Sequence, residues 1–185
     1  EKFIKDGLGE VIKYACIKDS GFFDELMNIK TRGQLFQNIE YIIYTCLNIK
    51  RKIVERDEKD TGDRMLLNFG HTLGHAIENY FNYEYRHGEA VALGMYYITK
   101  KSEALHYTEK GTSDKIKEIL INFNIEYRLP SIDMDIIKKT VCLDKKNISG
   151  NIKLILLKEI GAAFIESVPM ENINKFFEEN VWIIY

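Results

Sequence analysis

The densest chemistry in this chain lies in Leu67-Asn68-Phe69-Gly70-His71-Thr72-Leu73-Gly74-His75-Ala76-Ile77-Glu78. The segment reads as a helix, turning about 100° per residue. On that reading Arg64, Asn68, His71, His75 and Glu78 share one polar stripe. Leu66, Leu73, Ile77 and Tyr80 lie on another side and can face a core. Gly70 and Gly74 then fall inside the helix, where each costs about 1 kcal/mol relative to Ala. That cost points to something approaching the backbone closely, either a ligand or a neighbouring helix.

Glu10, His71 and His87 are candidate metal ligands. Two imidazoles and one carboxylate suit a catalytic zinc whose fourth position stays open to substrate. His71 and His75, four residues apart, form a competing pair of the kind used by zinc proteases. The protease motif needs Glu directly after the first His, and Thr72 stands there. Helical histidines also serve as plain hydrogen-bonded structural residues, and spacing alone leaves that alternative open. Glu10 and Lys13 are three apart on one helix. As an exposed ion pair they are worth about 0.2–0.5 kcal/mol. Leu8, Val11, Ile12, Tyr14 and Ala15 leave little room there for a wholly solvated face.

The remaining cations are harder to read. Lys50, in Lys50-Arg51-Lys52, also suits a solvated basic helix end. Lys145 and Lys146, in Leu143-Asp144-Lys145-Lys146-Asn147, also suit a solvated loop. Arg64 beside Asn68 offers a planar fork for a carboxylate or phosphate. His106 stands outside every cluster and reads as a surface histidine.

Several elements must position these side chains. A helix is predicted from Gly7 to about Lys18, and a long one from Thr31 to about Arg56. Leu35, Ile39, Ile42, Cys46, Ile49 and Ile53 give the long one a continuous apolar seam, on the order of 35 Å in length. The histidine helix is expected from about Asp63 to Tyr80, followed by a loop from Phe81 to Arg86. A further helix runs from Glu89 to about Leu105. Ala90 to Ile98 is apolar or small on every side, so that helix should be buried and central. Gly111-Thr112-Ser113 opens a helix to about Phe123, and another spans Met134 to Leu143. Then the period changes. Ile152–Leu157 and Ala163–Val168 read as two strands joined through Glu159-Ile160-Gly161. A last helix is expected from Met170 to about Glu179. The fold class is mainly α, a helical domain over residues 1–185 with one small β-hairpin.

Bulk properties narrow the function classes. The chain has 185 residues, 45% hydrophobic and 29% charged, which is the composition of a globular protein. A net charge of −2 carries no nucleic-acid footprint, so an anionic ligand needs a local cluster of cations. No membrane span and no secretory signal are expected. Cys16, Cys46 and Cys142 form no CxxC pair, which fits a reducing cytoplasm and argues against a cysteine zinc site.

Taken together, Gly7-Leu8-Gly9-Glu10-Val11-Ile12-Lys13-Tyr14, Asp57-Glu58, Gly62, Arg64, Leu67–Thr72, Gly74-His75-Ala76, His87-Gly88-Glu89-Ala90-Val91 and Asp144-Lys145-Lys146 resemble the 3-dehydroquinate synthase family in order and spacing. The resemblance extends over essentially all 185 residues and concerns the C-terminal, metal-binding half of that enzyme. It implies a shikimate-pathway cyclase. The substrate would be a phosphorylated keto acid, 3-deoxy-D-arabino-heptulosonate 7-phosphate, and the products 3-dehydroquinate and phosphate. It implies a bound NAD that transiently oxidises a substrate hydroxyl and is regenerated within each turnover. It implies Zn2+ or Co2+ on Glu10, His71 and His87, and a proton-transfer role with phosphate contact for His75. Lys13, Lys50, Arg64, Asn68 and a lysine of the Lys145-Lys146 pair would contact substrate, with Lys13, Arg64 and Asn68 also counted in the catalytic set. It further implies a homodimer when intact.

Two departures from the family pattern stand out. The Gly-rich nucleotide loop and βαβ series that would bind NAD lie outside these residues. The 185 residues alone are therefore expected not to turn over. Asp60 stands where the family usually carries Glu, one carbon shorter in reach. Another sugar-phosphate cyclase, such as a 2-deoxy-scyllo-inosose synthase, is the nearest alternative. Arg64 and Asn68, suited to a carboxylate, favour the dehydroquinate reading. The metal-binding half of an alcohol dehydrogenase would not need Lys13, Lys50 and Lys145. A non-catalytic helical domain is the remaining alternative.

Overall fold

Residues 2–59, 62–129, 132–144 and 150–177 are described in the structure, a computed structural model. Its axis is α6 (His87–Ala104), in which every residue from Ala90 to Thr99 is buried, as a helix apolar on all sides requires. α1 (Lys2–Lys18), α5 (His71–Tyr80) and α7 (Thr112–Asn122) pack against it. One apolar cluster runs from Leu8 and Ile12 of α1 through Leu73 and Ile77 of α5 to Leu93 and Met95 of α6.

Two of these crossings are made backbone on backbone. A Cβ on Gly9 of α1 would overlap the Gly88 carbonyl of α6, and one on Gly88 would overlap the Asp6 carbonyl. A Cβ on Gly94 of α6 would overlap the Gly70 carbonyl at the start of α5, and one on Gly74 would come within 3.1 Å of Val91 Cα. The approach anticipated at Gly74 is therefore that of a neighbouring helix. The first crossing also caps α6, because Asp6 Oδ1 accepts a hydrogen bond from the Gly88 N–H at 2.6 Å.

The expected histidine helix is the main correction. Residues Asp63–Asn68 form a 3-10 helix, Phe69 is extended, and Gly70 is left-handed at φ 78° before α5 begins at His71. Arg64 and Asn68 thus do not share a helical stripe with His71, His75 and Glu78, and Gly70 caps α5 instead of lying inside it. The break follows from tertiary packing: it buries Phe69 completely and sets the Gly70 carbonyl against Gly94. Asp57 shapes the entry, its Oδ2 accepting from the Gly62 N–H at 2.7 Å and the Arg64 N–H at 3.1 Å.

Other boundaries moved as well. α1 already runs from Lys2, and α6 starts two residues early, at His87. α2 (Ser20–Met27), capped by Asp19, had no counterpart in the expected elements. The long helix splits at Asn38 into α3 (Arg32–Gln37) and α4 (Ile39–Arg56). A capping box of Thr31 and Gln34 starts α3. The seam survives the break: Leu35, Ile42, Cys46, Ile49 and Ile53 are buried and Ile39 is half-buried.

α8 spans Met134–Asp144. β1 (Asn151–Glu159) and β2 (Ala162–Pro169) pair antiparallel with Ile155 opposite Ile165, and Gly161 is left-handed in the turn. A buried hydroxyl chain ties α6 to this hairpin. Ser102 Oγ meets Thr108 Oγ1, which donates to the Leu157 carbonyl at 2.6 Å. The expected last helix opens differently: a 3-10 turn at Met170–Asn172 leads into α9, Asn174–Phe177 among the described residues. The mainly helical fold with one hairpin stands as expected. No described helix is long and apolar enough to cross a membrane.

Candidate metal centre

Three elements meet at one point. Glu10 follows Gly9 on α1, His87 precedes Gly88 on α6, and His71 opens α5 immediately after Gly70. Each candidate ligand thus adjoins a glycine that lets two backbones touch. The packing that buries these glycines also delivers the side chains. Ligand atoms of Glu10, His71 and His87 all lie within 4.8 Å of one another.

The hydrogen bonds show which atoms face inward. His71 Nδ1 is 3.2 Å from the Phe69 carbonyl, so Nδ1 carries the proton and the Nε2 lone pair faces Glu10. His87 Nδ1 is 3.2 Å from Glu78 Oε1, which assigns the same tautomer there. Glu10 Oε1 stands 3.6 Å from His71 Nε2 and 3.8 Å from His87 Nε2, too far for hydrogen bonds. That oxygen is buried with no hydrogen-bond partner among the described residues. Two imidazole lone pairs and a carboxylate oxygen therefore converge with no donor between them. Such an arrangement is repulsive by itself and is satisfied by a cation. The residues present fit a divalent metal.

The electrostatics agree. Burial, with the nearby Lys13 charge adding to it, pushes the His71 imidazole down to about 4, so the ring is neutral at physiological pH. The other Glu10 oxygen, Oε2, accepts from Lys13 Nζ at 2.7 Å. The expected i, i+3 pair exists, but its lysine is only 4% exposed and is part of the centre. Burial lowers the Lys13 pKa, Glu10 opposes that shift, and the charge of Lys50 adds to the lowering. The interaction places Lys50 in the Lys13 neighbourhood, although Lys50 itself is exposed on α4. Cys46 lies close enough to sense Glu10 and Lys13, but burial pushes its thiol up to about 12, far from a ligating thiolate.

The other sequence-derived residues are placed less tightly. His75 is half-buried, its ring centroid 5.5 Å from that of His71 and 5.9 Å from that of His87. Arg64 is half-buried, and its Nη1 donates to the Glu58 carbonyl at 3.2 Å. Asn68 is exposed at the end of the 3-10 helix. Lys145, Lys146 and Asp60 lie outside the described residues. His106 is exposed, as read from the sequence. Sequence reasoning assigned no role to Asp6, which caps α6 beside His87, or to Glu78, which holds the His87 ring. The available signal for Glu78 was its spacing, three residues beyond His75 on the face that carries His71.

Comparison with known proteins places this geometry. The family described as 3-dehydroquinate synthase C-terminal matches residues 7–147. The 3-dehydroquinate synthase of Clostridium botulinum (strain Alaska E43 / Type E3) is 55% identical over 172 residues, covering 92% of this chain and 49% of the relative. The 3-dehydroquinate synthase of Clostridium perfringens (strain SM101 / Type A) is 50% identical over 179 residues, covering 96% of this chain and 50% of the relative. The chain spans about half the length of the curated relatives it matches. Among solved structures, a 2-deoxy-scyllo-inosose synthase complexed with carbaglucose-6-phosphate, NAD+ and Co2+ superposes with a TM-score of 0.80 at 22% identity, covering 96% of this chain and 52% of that one. ValA, a 2-epi-5-epi-valiolone synthase from Streptomyces hygroscopicus subsp. jinggangensis 5008 with NAD+ and Zn2+ bound, gives a TM-score of 0.72 at 20% identity, covering 94% of this chain and 49% of that one. At these identities the two structures speak to the fold.

Proposed function

The chain belongs to the 3-dehydroquinate synthase C-terminal family, and from that premise we propose that it forms the metal- and substrate-binding half of a 3-dehydroquinate synthase. The complete protein would convert 3-deoxy-D-arabino-heptulosonate 7-phosphate into 3-dehydroquinate and phosphate. The observation that carries the reading is the convergence of Glu10, His71 and His87 around an unpartnered carboxylate oxygen, inside the span that matches the family. Glu10, His71 and His87 would hold Zn2+ or Co2+. When bound, the metal supplies a Lewis acid for the substrate hydroxyl and NAD supplies the hydride acceptor. NAD would be bound mainly by the N-terminal half of the protein.

This chain's own residues then divide the remaining work. Lys13 offsets the Glu10 charge and presents N–H donors at the edge of the centre. His75 sits beside the ligand rings without belonging to the three-residue set. Its imidazole, standing outside the ligand set, suits taking up and returning a proton during turnover. Arg64 and Asn68 suit the substrate carboxylate and hydroxyls, and Lys50 with a lysine of the Lys145-Lys146 pair suits the phosphate. A doubly anionic substrate needs such local cations on a chain whose net charge is −2. The cytoplasm is the expected location, and a homodimer the expected assembly.

The test is substrate-specific phosphate release by the complete protein. Release from the seven-carbon keto acid, with none from a hexose 6-phosphate lacking a carboxylate, supports the reading. The reverse preference would make it a different sugar-phosphate cyclase. The 185 residues alone are expected to bind no NAD and to release no phosphate.

A further inference from the structure

We propose that Glu78 is a positioning residue of the metal centre: its carboxylate orients His87 by accepting the Nδ1 proton and so directs the Nε2 lone pair at the metal. The inference rests on the metal-holding reading above and assigns a residue to which that reading gives no role.

The two histidine ligands are held differently. His71 is 14% exposed, and its Nδ1 faces a backbone carbonyl, Phe69, fixed by the left-handed turn at Gly70. His87 is the first residue of α6, and its side chain is 45% exposed, with its ring 5.0 Å from that of His71 and 5.9 Å from that of His75. What it has is Glu78 Oε1 at 3.2 Å from Nδ1. The Glu78 side chain is only 11% exposed and sits on α5, pinned by the Gly74–Val91 and Gly70–Gly94 contacts with α6. A carboxylate held by that crossing is a rigid acceptor for a ring that is nearly half exposed. A carboxylate behind a ligating imidazole fixes the tautomer and strengthens the nitrogen that faces the metal.

Glu78, His75 and His87 also have ligand atoms within 4.8 Å of one another, which makes direct ligation by Glu78 the rival outcome. The two differ in stoichiometry and in their dependence on His87. The experiment is Co2+ titration of the complete, metal-stripped protein against a competing chelator, with visible absorption of the bound cobalt. The variants are Glu78→Gln, which keeps the shape and an acceptor oxygen, Glu78→Ala, and each in a His87→Ala background. Circular dichroism of the stripped proteins reports folding independently.

Expected are one Co2+ per chain in every variant that keeps His87, affinity about 10- to 100-fold weaker for Glu78→Ala, and a smaller loss for Glu78→Gln. The cobalt spectrum should change in Glu78→Ala, and neither substitution should weaken binding further once His87 is alanine. Unchanged affinity in both folded variants overturns the proposal. So does an undiminished loss in the His87→Ala background, or a second Co2+ per chain that vanishes with Glu78. Failure of the unaltered protein to bind Co2+ at all overturns the metal-holding reading and this proposal with it.

Discussion

The proposed metal ligands and the proposed substrate cations are built on opposite terms. Glu10, His71 and His87 each adjoin a glycine at a helix crossing where backbones touch, so their positions are set by the interior of the molecule. Lys50 and Asn68 are exposed, and Arg64 is held through a loop organised by Asp57. Lys13, one of the proposed substrate cations, is the exception, buried beside the ligands and paired with one of them. Three lone pairs must meet within a few tenths of an ångström, which demands rigid elements. Long cationic side chains can adjust to a flexible anion, so a looser frame suffices for them. The proposed metal ligands are therefore organised by the core, and the proposed substrate contacts among the described residues, Lys13 apart, stand on a looser frame.

The sharpest way to break this contrast is to disturb a crossing. Gly88→Ala drives a Cβ into the Asp6 carbonyl, which is backbone and cannot swing away. The expected loss is about 3 kcal/mol or more of stability, together with loss of metal binding. Gly7→Ala is the control, since a Cβ there meets nothing within 4 Å. It should stabilise by about 0.5–1 kcal/mol. Denaturant unfolding of the two variants checks both, and equal effects would dissolve the contrast.

Next in size is Glu10→Ala. It removes a ligand and leaves Lys13 buried without its carboxylate, so metal affinity should fall by more than the roughly 100-fold limit for losing an outer hydrogen bond. Metal analysis after dialysis reads this, and the companion His87→Ala should behave alike. Unchanged stoichiometry in both would strike them from the ligand set.

His75→Asn separates the ligand set from the acid–base machinery. In the complete protein, metal content should stay near normal while turnover falls on the order of 10²-fold. Metal lost in step with activity would make His75 a ligand. The smallest effect belongs to the outer cations. Lys50→Ala should leave metal content and fold intact and raise KM for substrate about 10-fold, the cost of one charge-assisted hydrogen bond. A fall in metal affinity would instead place Lys50 within the rigid frame.

Much of this was legible in the chain itself. Apolar patterning located α4, α6 and the hairpin, because burial on one face marks every third or fourth residue of a helix, burial on all faces leaves a continuous apolar run, and strands change the period. The buried character of Ala90–Ile98 followed directly. Motif order pointed to Glu10, His71 and His87, because ligand chemistry restricts which residue types are useful. The structure alone settled how those residues meet. No period in the sequence reveals that Asp63–Asn68 is a 3-10 helix or that Gly70 turns left-handed, since that break is favoured by the burial of Phe69 and by contact with Gly94, far away in the chain. The same holds for Asp6 on Gly88 and Glu78 on His87. Hydrogen bonds between separate helices depend on where the helices cross, and here the crossings depend on which glycines lie opposite one another.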